Sequence, residues 1–137
     1  MKEKMMAFIA ANPVCTLATC DSGQPRVRGF LTNMIDETIY FTTSAHKNVG
    51  RQLQADARIE LCYLSGDFAT MLRVEAVAHV VDDRKIKQHL IDTRDYLAHF
   101  SADDPEFLLF TPAEAKAHFW TLADNLNEAA IARVALV

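Results

Sequence analysis

Long apolar runs are missing from this chain of 137 residues, although half of its residues are hydrophobic and its mean hydropathy is close to zero. A membrane-spanning helix needs about 20 consecutive apolar residues, so no span is expected. Positive charge is also short: 14 Lys and Arg stand against 18 Asp and Glu, for a net charge of −4. Without a basic stripe to neutralise many phosphates, nucleic acid is excluded as a general partner, and local cations must serve something small. The cysteines Cys15, Cys20 and Cys62 are odd in number and lack CxxC spacing, and His79, His89, His99 and His118 lack HExxH spacing. Neither a disulfide framework nor a metal site is expected; buried, reduced thiols are. The opening MKEKMMAFIAANP is charged and then apolar, but its apolar part is short, lacks a small-residue cleavage site and stops at Pro13. It reads as a first helix rather than an export signal, which places the protein in the cytoplasm.

What is there is enough for one domain, 1–137, able to bury roughly two-thirds of its unfolded surface. VCTLATC is β-rich and runs into the turn cluster DSGQP; RVRGFLTNMI reads as one strand, and Asp36 and Glu37 separate it from TIYFTT in a tight hairpin. RIELCYL and FATMLRVEAVAHVV follow as strands, the latter with Met71, Arg73 and Glu75 on one face and Leu72, Val74 and Ala76 on the other. Asp82 and Asp83 open a helical stretch to about Phe100. FLLF, AKAHFWTL and IARVALV read as closing strands, while the Ala-rich AEAKAHFW fits a helix as well. Phe119 and Trp120 read as packing residues. Hairpin-linked strands with an inserted helix imply a mainly β, α+β fold: a small antiparallel barrel with Greek-key-like connections and flanking helices.

The segment IYFTTSAHKNVGRQL carries the chemistry. Ile39, Tyr40 and Phe41 are strand formers, whereas Val49 and Leu53 fit the buried face of a short helix, so a cluster of hydroxyls and cations sits on a strand-to-helix junction. Ser44 is the natural N-cap there, and the amides of Ala45, His46 and Lys47 are expected to point outward at the positive end of the helix dipole, where an anion fits. If the preceding hairpin turns at Asp36 and Glu37, Ile35 faces Thr38, and continuing the ladder puts Arg28 beside Ala45, with Arg26 on the same face. Arg28, Ser44 and Lys47 then converge on one phosphate, with Thr42 and Thr43 close enough to bond whatever is attached to it. His46 fits an exposed helix residue and, when protonated, a phosphate donor. Capped junctions with solvated cations are common, so spacing alone leaves both readings open.

The order CTLATCDSGQPRVRGF, IYFTTSAHKNVGRQLQADARIELCY, LRVEAVAHVV resembles the pyridoxamine 5′-phosphate oxidase-like, flavin-binding split-barrel family, and especially its general-stress-protein branch, over roughly residues 5–90. The shared pattern consists of Pro25 to Arg28, Tyr40 to Thr43, Ser44 with His46 and Lys47, Gln52 with Leu53, and Arg73 to Ala78. The resemblance implies a split barrel in which Arg28, Ser44 and Lys47 hold an FMN phosphate, His46 stands where the family often has Arg, and Thr42 and Thr43 approach the ribityl chain and flavin ring. It also implies a homodimer with the flavin at the subunit interface and an FMN-dependent oxidoreductase acting on a small molecule. A non-catalytic stress-related protein binding flavin, haem or the deazaflavin F420 is the alternative. Asn33 stands where the oxidase proper has Lys, Met71 where it has Gln, and the C-terminal residues lack its Arg-x-His pattern. Oxidation of vitamin B6 is therefore not expected.

Overall fold

The computed structural model describes the whole chain, Met1–Val137. Helix α1 (Lys2–Ala11) leads into β1 (Val14–Asp21), which turns through Ser22 and Gly23 into β2 (Gln24–Leu31); β3 (Asn33–Ile35) and β4 (Thr38–Ser44) form the next hairpin. Helix α2 (Asn48–Ala55), β5 (Arg58–Leu64) and β6 (Thr70–Val80) follow, then α3 (Arg84–Thr93), a 3₁₀ turn at Asp95–Leu97, the long β7 (Phe107–Thr121), two further 3₁₀ turns, and β8 (Val134–Ala135). The strands form one antiparallel sheet in the order β2-β1-β5-β6-β7-β4-β3, with β8 on β7. Curled on itself, it is a split barrel flanked by three helices. No helix is long and apolar enough to cross a membrane.

The expected strand RVRGFLTNMI is broken at Thr32. The Asp36–Glu37 hairpin has the predicted register, Ile35 opposite Thr38 and Asn33 opposite Tyr40, but the ladder ends there. The Thr32 amide donates to the Pro13 carbonyl at 3.1 Å, its hydroxyl lies 3.3 Å from the same oxygen, and the hydroxyl also meets the Tyr63 phenol at 3.0 Å. From Leu31 backward β2 pairs with β1, so Arg28 lies opposite Leu17 and not beside Ala45. The edges of β2 and β4 separate, and this gap is the split.

Alternation on each strand fills the barrel. Leu17, Phe41, Leu61, Tyr63, Leu72 and Val74 are fully buried, with Phe41 stacked on Phe110 at 5.4 Å between ring centres. FLLF is continuous with AEAKAHFW in one strand, which excludes the helical reading. Phe107 and Leu109 pack in a second cluster with Leu90, Ile91 and Leu97, while Leu108 and Phe110 face the barrel. A strand buried on both sides must be apolar throughout. Glu114, at φ 52°, marks a bulge where β7 slips against β6 between Glu75 and Val77. The predicted helix to Phe100 stops at Thr93, and of IARVALV only Val134–Ala135 pairs as a strand.

The C-terminal segment is held by a polar network. Arg73 binds Glu60 at 2.6 Å and Glu128 at 2.8 Å, and His118, only 2% exposed, lies 2.8 Å from the same Glu128 oxygen. The hydrogen bond from His118, then that from Arg73, holds the Glu128 carboxyl below its ordinary value.

Asp36 and Glu37 both have positive φ, 47° and 62°, the geometry of a type I′ turn that favours glycine at its second position. Glu37→Gly should stabilise the protein by about 0.5–1 kcal/mol, read as a higher denaturation midpoint. A lowered carboxyl stabilises the fold above its unfolded value, 4.5 for Glu128, and loses that contribution as pH falls through the folded value. The stability gap between the native protein and Glu128→Gln should therefore be largest near neutrality and shrink on acidification below pH ~4.5.

Candidate functional site

Two cavities meet at Lys47, one on each side of it. The first is an open groove between the β1–β2 turn and α2, lined by Arg26, Arg28, Lys47, Arg51 and Gln52; the second, of about 330 Å³, lies in the split between Gly29–Leu31 and Thr42–Ser44. Tyr96, His99, Phe100 and Phe107 close the second cavity with an aromatic wall. One end of the combined groove is cationic and the other aromatic.

At the cationic end the acids are spent locally. Asp21 pairs with Arg26 at 3.2 Å, and Asp56 binds Arg58 at 2.7 Å, which holds the Asp56 carboxyl at about 2. Arg28 has no carboxylate partner. Its Nη1 donates to the Leu17 carbonyl at 3.1 Å and the Thr19 hydroxyl at 2.9 Å, and its Nη2 donates to Gln52 Oε1 at 2.6 Å. Burial, and secondly the Arg26 charge, lower the Arg28 pKa from its ordinary value, but a guanidinium remains protonated. Thr19 also donates to Gln52 Oε1, at 2.7 Å, so neutral groups fix the fork while its charge stays uncompensated. Arg51 is similarly bound only to neutral acceptors, the His46 carbonyl at 2.6 Å and Asn48 Oδ1. Lys47 is exposed and its ammonium has no hydrogen-bond or ion-pair partner in the fold.

The junction differs from the expected capped helix. Ser44 ends β4, and the N-cap is Lys47, in extended conformation at φ −82° and ψ 152°. The three amides expected to be free are taken: Ala45 donates to the Glu106 carbonyl at 2.8 Å, His46 to the Ser44 hydroxyl at 3.2 Å, and Lys47 to the Ser44 carbonyl at 3.1 Å. The three-residue connection, Ala45–Lys47, folds back on Ser44 before the helix starts, so the cap position moves downstream. No side chain caps α2, whose first intrahelical bond runs from the Arg51 amide to the Lys47 carbonyl. The open amides are therefore those of the first turn, Asn48–Gly50, of which Asn48 and Val49 line the groove with Lys47.

Arg28 and Lys47 share the cationic groove, and Ser44, Thr42 and Thr43 line the aromatic cavity with Lys47. Thr43 is 5% exposed, and its hydroxyl is the one buried side-chain polar atom without a partner. His46 lines neither cavity; its side chain is 78% exposed and its Nε2 lies 3.9 Å from Glu106. Gln52 stood in the family pattern without a part in the site, and Arg51 and the Tyr96–Phe100 wall were not anticipated. The signal for the wall, three aromatic rings in DYLAHF, lies some fifty residues beyond the junction and touches it only in the folded chain.

The sequence pattern of the pyridoxamine 5′-phosphate oxidase family matches residues 1–130. The chain belongs to this family. Solved structures agree at the level of the fold. A NimC/NimA family protein from Clostridium acetobutylicum is similar at 19% identity and a TM-score of 0.77, over 89% of this chain and 88% of that one. General Stress Protein 26 from Bacillus anthracis is similar at 17% identity and a TM-score of 0.70, over 88% and 98%. The haem storage protein HutZ from Vibrio cholerae is similar at 16% and 0.65, over 87% and 92%. No curated protein matches the chain. The same fold thus occurs in a general stress protein and in a haem storage protein, and the donors lining this groove must be weighed for themselves.

Gly50 controls how closely α2 docks on β4: a Cβ there would lie 2.1 Å from the Ser44 carbonyl oxygen and 3.0 Å from its carbon. Both are backbone atoms and cannot rotate away. Gly50→Ala should destabilise the fold by about 2–3 kcal/mol in chemical denaturation, the range for overpacking a tight contact.

Proposed function

We propose that the groove binds FMN and that the protein is an FMN-dependent oxidoreductase of small molecules, not a true pyridoxamine phosphate oxidase. The observation that carries this reading is the division of the groove at Lys47. Uncompensated cations and open helix amides at one end suit a phosphate, and a narrow aromatic cavity at the other suits a planar ring. Arg28 supplies the planar fork and Lys47 a mobile point charge. Thr42, Thr43 and Ser44 line the aromatic cavity beside Lys47, where a polyol linker between the two ends needs hydrogen bonds. When bound, the flavin supplies the electron transfer; the chain supplies position, electrostatics and exclusion of water. Asn33, at the position of the oxidase's Lys, is committed to Tyr96 and Arg94 and lines neither cavity of the groove.

A homodimer belongs to the same reading. The outer face of β1 and β2 exposes Val14 at 67% and Val27 at 68%, with Leu31 and Leu64 beside them. Apolar patches of this kind mark association surfaces. Leu31 also lines the aromatic cavity, so a second copy covering this face would wall the groove.

Purified protein titrated with FMN, F420 and haem should bind FMN most tightly, with a shifted flavin absorption band and a melting temperature that rises with ligand concentration. Lys47→Ala combined with Arg28→Ala should weaken FMN by about 2–4 kcal/mol, roughly 30- to 1,000-fold, as expected for charge-assisted bonds. Undiminished FMN affinity in the double variant would reject the site, tighter haem or F420 binding would reject the cofactor, and bound flavin that no donor reduces would leave a binding protein.

A further inference from the structure

A third cavity, of about 360 Å³, lies behind the split between α1 and the β3–β4 hairpin. Its walls are apolar: Ile9 from α1, Leu31 and Met34 from the broken strand, and Ile39 from β4. The polar side chains Thr32 and Asn33 also reach it, but their groups are engaged. The Thr32 hydroxyl meets the Pro13 carbonyl and the Tyr63 phenol; Asn33 donates to Tyr96 at 2.9 Å and accepts from Arg94 Nε at 2.8 Å. One charged residue lines this cavity, Arg94.

Arg94 is held as a binding group is held. Its Nε is fixed by the buried Asn33, and its Nη1 donates to the Thr93 hydroxyl at 2.9 Å, so two of three nitrogens set the plane of the guanidinium. Its Nη2 has no acceptor in the protein, and no carboxylate lies within ion-pair distance. Arg26, Arg58, Arg73 and Arg84 each have an Asp or Glu partner, and Arg51 and Arg133, which have none, are exposed; only Arg28 and Arg94 are partly buried without one. A half-buried, immobilised cation that faces an apolar cavity without a counter-ion is complementary to an anion carrying an apolar body. The volume lies at the lower end of the range for small-molecule pockets, about 300–1,000 Å³.

We propose that this cavity binds a small aliphatic monocarboxylate, its carboxylate on Arg94 Nη2 and its chain against Ile9, Met34 and Ile39. The site adjoins the aromatic end of the other groove at Leu31, but its anchor, Arg94, lines only this cavity, and the proposal does not depend on what the Arg28–Lys47 groove binds.

The test is titration of the full chain with hexanoate, followed by ligand-observed NMR, beside hexanamide, which lacks the charge, and acetate, which lacks the chain. Hexanoate should bind at least tenfold more tightly than either. Arg94→Gln should weaken hexanoate at least tenfold, while Arg28→Ala combined with Lys47→Ala leaves it unchanged. Ala10→Phe, which keeps Arg94 but fills the cavity from an exposed wall position, should also weaken it, and it decides the matter if Arg94→Gln does not fold. Four results would each overturn the proposal: no hexanoate binding by the native chain, hexanamide binding as tightly as hexanoate, full binding by Arg94→Gln or Ala10→Phe, or loss of binding in the Arg28, Lys47 double variant.

Discussion

The groove exists because Thr32 is bonded to Pro13. Without that anchor the β3–β4 hairpin could extend backward, and β2 would meet β4 and close the barrel along its whole length. The anchor hands β2 to β1 at Leu31 and leaves β3 with β4 from Asn33 onward. One residue thus divides a strand between two partners. Tyr63 makes the break stable by taking part in the same buried hydrogen-bond set, so the interruption leaves no unpaired hydroxyl at Thr32. Two neighbouring strand edges are opened at little cost, and side chains from a distant loop can enter between them.

On one side of this opening the chain places charge that it does not neutralise. An arginine surrounded by a carbonyl, a hydroxyl and an amide oxygen is solvated but not compensated, and its orientation is fixed before any ligand arrives. The tight approach of Gly50 to Ser44 sets the start of α2 against β4, so Lys47 and the open first turn of the helix add to the potential at the groove. Proximity here depends on a missing methyl group as much as on the cations.

Much of this was legible in sequence, and the misses have physical causes. The strands, the Asp36–Glu37 turn and its register follow from alternation and turn chemistry, which are local. Arg28, Ser44 and Lys47 were expected to converge through a ladder that does not reach that far; instead α2 sets Lys47 and Gln52 on the groove that Arg28 lines, and Ser44 lies outside it. The Thr32 break depends on a carbonyl nineteen residues earlier in the chain, and no periodicity reports it. Ser44 was read as the cap because Ser favours that position, but its carbonyl and hydroxyl are used by the tight turn before the helix. AEAKAHFW kept a helical reading because its composition suits helix; the alternation of exposed Glu114 and Lys116 with buried Ala115 and Ala117, and the pairing with β6, override that propensity.

The same side chain serves opposite ends depending on where acids are placed. Arg73 meets two carboxylates and fixes the C-terminal segment to the sheet, a role complete within the chain. Arg28 and Arg94 meet only neutral oxygens, although acids outnumber bases overall. Arg51 and Arg133 also meet only neutral oxygens, but at the exposed surface; where a guanidinium is partly buried and held beside a cavity, a nearby Asp or Glu would stabilise it and close the site. Two such residues at two cavities, one facing open helix amides and the other facing apolar walls, therefore separate two binding chemistries: an anion attached to a polar chain, and an anion attached to a greasy one.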